Sequence, residues 1–103
     1  MCGITGLIKK TPIDNISKVN QSIKRLQSRG PDDNDIWISN QKNIILGHTR
    51  LSIQDTSKRA SQPMVSRCGE YVISFNGEIY NHLEIRKNLD KSGYQYKWNS
   101  STD

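Results

Sequence analysis

The residue pattern predicts an α+β domain, in which short apolar strands and two amphipathic helices share 103 residues. Three observations carry this reading. Gly3 to Ile8 is a short apolar run containing two glycines. Ile16, Val19, Ile23 and Leu26 recur at spacings of three and four, one face of a helix. Two extended runs, 35–39 and 44–49, flank the polar residues 40–43, which is the pattern of a hairpin.

Taken in order, the chain opens on Met1-Cys2-Gly3. Removal of Met1 would leave a residue carrying both a thiol and a free α-amine. Their reference pKa values are about 8.5 and about 7.7–8.0. A nucleophile and a base would then share one residue, as in N-terminal-nucleophile hydrolases. Alone, a cysteine at position two is more often incidental. The strand from Gly3 to Ile8 would anchor it, and its glycines imply close backbone approach. Lys9 to Pro12 reads as a turn. The first helix takes Asp14 or Asn15 as N-cap and stops at Gly30-Pro31. Arg29-Gly30-Pro31-Asp32-Asp33 is open between two readings. One is a helix stop with two solvated acids. The other is a loop that Arg29 holds against a carboxylate or backbone carbonyls beside the N-terminus.

Asp35 to Ser39 and Ile44 to Thr49 form the hairpin, with Arg50 at its end. A strand end is where a rigid scaffold presents a side chain to a site. His48 lacks a visible partner and reads as structural rather than as a base. Ser52 to Gly69 is a long polar stretch of lid or loop character. Cys68, at its far end, reads as a bystander with no neighbouring base. Tyr71 to Asn76 alternates, with Tyr71, Ile73 and Phe75 on one face. Asn76-Gly77 is a strong turn signal, yet an Asn amide beside a glycine N–H also supplies two convergent donors. Asn81 with Glu84 reads as a capping box, with Tyr80 and Ile85 as its staple, opening a helix from His82 to Ser92 that closes at Gly93. Tyr94 to Trp98 reads as a last strand.

Composition narrows the function classes. The chain has room for one domain at most. Its hydrophobic content is 33% and its mean hydropathy is −0.74, low for a self-sufficient globule. The net charge of +5 permits nucleic-acid binding, but the basic residues are scattered and no nucleic-acid motif appears. Two cysteines make neither a disulfide framework nor a zinc cluster. The longest aliphatic run, Ile44-Ile45-Leu46, is far short of a membrane span. No signal-peptide core is present, and Met-Cys is not a myristoylation start. The expectation is a cytoplasmic protein with reduced thiols, without membrane, metal or nucleic-acid partners.

Four blocks carry a resemblance. They are Met1-Cys2-Gly3-Ile4, Arg29-Gly30-Pro31-Asp32, His48-Thr49-Arg50-Leu51-Ser52-Ile53, and Phe75-Asn76-Gly77-Glu78-Ile79-Tyr80-Asn81. In order and spacing the whole chain resembles class II glutamine amidotransferase domains, and most closely the N-terminal glutaminase domain of the asparagine synthetases. Arg-Gly-Pro-Asp favours that branch, since the phosphosugar and purine branches usually lack the proline.

The resemblance implies glutamine hydrolysis through a Cys2 glutamyl thioester, releasing ammonia for ATP-dependent conversion of aspartate to asparagine. It implies Asn76 and Gly77 as oxyanion donors and Arg50 as the partner of the glutamine α-carboxylate. Glu78 and Asp103 would lie near the α-ammonium, and Leu51 and Ile53 join the substrate-binding set. It also implies a four-layer αββα sandwich, of which residues 1–103 would be about the first half. A separate synthetase domain, absent here, would take ATP and Mg, and this domain would take no cofactor. Glutamine and the remainder of the two domains would be the partners, with oligomerisation left open. Two rivals stand beside this reading: an inactive or regulatory amidotransferase remnant, and a small basic nucleic-acid-binding module resting on the charge and on Trp37 and Trp98.

Overall fold

A computed structural model describes residues 1–53 and 58–94. The elements are β1 (Gly3–Ile8), α1 (Ser17–Leu26), β2 (Asp33–Ile38), β3 (Ile44–Arg50), β4 (Met64–Val65), β5 (Val72–Ile73) and α2 (His82–Lys91), with one 3-10 turn at Lys58–Ala60. The architecture is mixed α/β, with two helices and two small sheets. One sheet has the order β1-β3-β2 and the other is the β4-β5 hairpin. Among the described residues, no helix is long and apolar enough to cross a membrane.

β3 is central because both neighbours run antiparallel to it. Gly3 lies opposite Thr49 and Ile8 opposite Ile44, while Asp33 lies opposite Arg50. Strand alternation gives β3 two different faces. Ile45, Gly47 and Thr49 meet α1. Ile45 packs with Ile13 and Val19, and Leu7 and Ile36 close over that cluster. Removing such a side chain from water contributes about 1.5–3 kcal/mol. A Cβ on Gly47 would lie 2.9 Å from Ile23 Cδ1, so glycine lets α1 settle on the strand. Gly3 serves the same purpose, because its Cβ would lie 2.7 Å from Thr49 Oγ1 and 2.9 Å from Leu26 Cβ. The close approach expected beside Cys2 is therefore present.

The opposite face of the sheet carries Ile44, Leu46, His48 and Arg50. Its apolar neighbours on β1 are open to solvent, with Ile4 46% and Ile8 73% exposed. α1 begins one residue later than the apolar stripe suggested. The N-cap is Ile16, with no side-chain cap bond, rather than Asp14 or Asn15; Asn15 Oδ1 accepts the Ser17 N–H at 2.8 Å just outside the helix.

Several expectations need correction. The polar stretch 52–69 contains the 3-10 turn and β4. The strand expected over 71–76 shrinks to Val72–Ile73, and Tyr71 stands in solvent. α2 starts at His82 as expected and ends at Lys91, yet Asn81 makes no side-chain cap bond. Tyr80 is 92% exposed, so no staple forms. Helix propensity and the Gly93 stop, at φ +84°, bound this helix without the reciprocal cap. Tyr94 is not in a strand; residues 95–98 and Asp103 lie outside the described residues.

Candidate active site

The register that sets Gly3 against Thr49 also brings Cys2 to the end of β3. Cys2 is half-buried, its Sγ accepting the Leu51 N–H at 3.4 Å and lying 3.9 Å from the Leu51 carbonyl oxygen. Arg29 Nε donates to the Cys2 carbonyl at 3.3 Å. Between the two readings open for the Arg29–Asp33 segment, this geometry selects the loop held beside the N-terminus. Gly30 permits it: a Cβ there would come within 2.4–2.5 Å of the Thr49 and Arg50 backbone. Pro31 bridges to Arg50, and the Asp32 N–H donates to the Arg50 carbonyl at 3.0 Å. The two acids are engaged as well. Asp32 Oδ2 accepts the Ser52 N–H at 2.7 Å, and Asp33 Oδ2 accepts from Ser61 Oγ at 2.8 Å.

A cavity of about 390 Å³ opens where these segments meet. β3 and its continuation bring Arg50, Leu51 and Ile53 to it, and the segment after β5 brings Asn76, Gly77 and Glu78. Seven of the eight residues expected to act or to bind thus share one cavity with Cys2 among them, the eighth being Asp103. Arg50 is only 8% exposed. A buried guanidinium facing a cavity suits a carboxylate, whose two oxygens its fork can match. Gly77 is held close by packing, since its Cβ would lie 2.7 Å from the Phe75 ring.

His48 also lines the cavity and is 1% exposed. A carbonyl can only accept, so Nε2, 3.3 Å from the Phe75 oxygen, carries the proton. Nδ1 is buried and has no hydrogen-bond partner among the described residues. Burial pushes the imidazole below its usual pKa; the Arg50 charge acts in the same direction, while the Phe75 carbonyl and Asp33 oppose it. A neutral ring bonded to main chain fits the structural reading of His48. Gln62 joins the lining without any motif to signal it: its Oε1 accepts the Phe75 N–H.

The second cysteine does not line this cavity. Cys68 is exposed, with Ser66 Oγ 3.2 Å from its sulfur. That contact, with the Glu70 backbone, pushes the thiol below its ordinary value. It is an accessible thiol with hydrogen-bond support.

The matching family model is the glutamine amidotransferase domain, and it covers residues 1–103. The chain belongs to the glutamine amidotransferase domain family. It is 35% identical over 107 residues to asparagine synthetase (glutamine-hydrolyzing) 3 of Bacillus subtilis, covering 100% of this chain and 17% of the relative. Asparagine synthetase B (glutamine-hydrolyzing) of Escherichia coli is 35% identical over 105 residues, covering 100% of this chain and 18% of the relative. Asparagine synthetase (glutamine-hydrolyzing) 1 of Saccharomyces cerevisiae is 38% identical over 90 residues, covering 84% and 15%. The amidotransferase chain therefore spans a small part of the length of these relatives.

Proposed function

We propose that this amidotransferase domain hydrolyses glutamine at Cys2 and supplies ammonia to a synthetase domain that makes asparagine from aspartate. The observation that carries the proposal is the convergence of Cys2, Arg50, Asn76, Gly77 and Glu78 on one cavity. The relatives' names support the substrate and the fused activity.

With Met1 removed, the Cys2 amine takes the thiol proton as Sγ attacks the carboxamide carbon of glutamine. Negative charge forms on the amide oxygen, where the Asn76 side-chain amide and the Gly77 N–H donate to it. The carbon–nitrogen bond then breaks and the ammonium form of the Cys2 amine returns the proton to nitrogen, releasing ammonia. A water molecule adds to the glutamyl thioester with the same amine as base, the carbon–sulfur bond breaks, the ammonium returns its proton to the Cys2 sulfur, and glutamate leaves. Arg50 holds the α-carboxylate. Glu78, with Asp103, accepts from the α-ammonium, and Leu51 and Ile53 border the substrate chain.

The fold proposed is the αββα sandwich, with residues 1–103 as its first part. The exposed β1 isoleucines support this, because they mark an apolar sheet face that a second sheet would cover. ATP and Mg belong to the synthetase domain in this reading. The test is an acid-quenched single turnover on full-length protein, followed by mass analysis. A glutamyl adduct on a chain that begins at Cys2 is expected. Full activity with Met1 retained would remove the amine from its role as base.

A further inference from the structure

Phe75 is held by its main chain from both sides. Its N–H donates to Gln62 Oε1, and its carbonyl accepts from His48 Nε2 at 3.3 Å. Both side chains line the cavity that Asn76 and Gly77 enter. The Phe75 ring in turn lies against Gly77, where a Cβ would approach it to 2.7 Å. β5 itself ends at Ile73, so no β-ladder among the described residues continues past it. The bonds from Gln62 and His48 tie this segment to the rest of the site.

We infer that His48 and Gln62 are positioning residues, which grip the Phe75 main chain between them and so aim the Asn76 and Gly77 donors at the oxygen formed on the substrate. The inference rests on the proposed function. The His48 bond requires a proton on Nε2. A doubly protonated ring would bury a second N–H at Nδ1, which has no acceptor among the described residues, and an unmade buried hydrogen bond is costly. His48 is fixed in turn by β3, whose pairing on both edges makes it the most constrained strand of the sheet. Oxyanion donors act through preorganisation, so a small loss of aim lowers the rate more than it lowers substrate affinity.

The test uses the full-length protein carrying His48→Leu, Gln62→Leu or His48→Gln. For the two leucine variants, kcat for glutamine hydrolysis should fall about 10- to 100-fold, with KM within about threefold. His48→Gln can donate from near the Nε2 position and should recover most of the loss. Alkylation of Cys2 by iodoacetamide, read by peptide mapping, forms no oxyanion and should stay near the wild-type rate. Affinity for a glutamine aldehyde analogue, which forms an oxyanion on Cys2, should fall in step with kcat. Unchanged kcat in both leucine variants would overturn the inference. So would alkylation falling as far as kcat, which is the mark of general disorder at the site. If His48→Leu does not fold, Gln62→Leu decides. A Cys2→Ala control separates the two levels: turnover surviving in it overturns the proposed function, whereas a Cys2-dependent reaction indifferent to His48 and Gln62 overturns only this inference.

Discussion

Arg29 Nε lies 3.3 Å from the carbonyl oxygen of Cys2, so the residue that follows the α1 turn holds the residue that begins the site. A frayed terminus cannot keep reacting atoms in place. Arg29→Leu should therefore lower glutamine turnover by about 10- to 100-fold, the scale of a misplaced reacting group. Arg29→Lys should recover part of it. Steady-state kinetics on full-length protein checks this; equal activity in wild type and Arg29→Leu would show the contact to be incidental.

Gly30 should tolerate no side chain. Its Cβ would meet backbone atoms of Thr49 and Arg50 at 2.4–2.5 Å, and backbone cannot rotate away as a side chain can. Gly30→Ala should cost about 1–3 kcal/mol or more of stability. Chemical denaturation of wild type and variant measures it, and an unshifted midpoint would show that the loop moves freely.

His48 should leave a trace in the pH dependence of stability. Burial lowers its pKa in the folded state, whereas the unfolded imidazole titrates near about 6.5. Just below that pH the unfolded chain binds the extra proton and the folded chain does not. Stability contributed by neutral His48 is thus complete above the unfolded pKa and is lost as pH falls toward the folded one. The charged groups near it are Arg50 and Asp33, with Asp35 opposite in register and the uncharged Ile4 on the other side. Thermal melts should fall more steeply between pH 6.5 and pH 5 in wild type than in His48→Gln, by up to about 1.4 kcal/mol per unit of pKa difference. Parallel curves would contradict the neutral assignment.

Arg50→Ala should raise KM for glutamine by about 10- to 100-fold, as expected for the loss of a charge-assisted, bidentate partner. Synthesis from free ammonia should persist, because that route has no α-carboxylate of glutamine to hold. Equal loss with both nitrogen donors would make Arg50 a structural residue.

Much of this was legible in residue pattern. The periodicity of Val19 and Ile23, the glycines at 3 and 6, and the hairpin around 40–43 encode local structure directly, and the first sheet and α1 follow from them. Cys2, Arg50, Asn76, Gly77 and Glu78 were legible because each lies in a dense motif beside a strand end or turn. Tertiary hydrogen bonds were less legible. Nothing local to Asp32 or Asp33 says that they accept from Ser52 and Ser61, and Gln62 sits in a polar stretch without periodicity. The capping box at Asn81 failed although its spacing was right: the Glu84 N–H bonds the Asn81 main-chain carbonyl rather than its side chain, and Tyr80 stayed in solvent. The Ser66 contact that lowers the Cys68 pKa was likewise hidden, because it depends on how the segment before β5 turns.

The central claim is that Cys2 carries the glutamine reaction. The most direct measurement is asparagine formation by full-length Cys2→Ala with glutamine and, separately, with ammonia as nitrogen source. Synthesis from glutamine should be abolished, since neither Ala nor the α-amine can form the thioester, while synthesis from ammonia should remain close to wild type. Glutamine-dependent synthesis persisting in Cys2→Ala would contradict the account, whatever the cavity brings together.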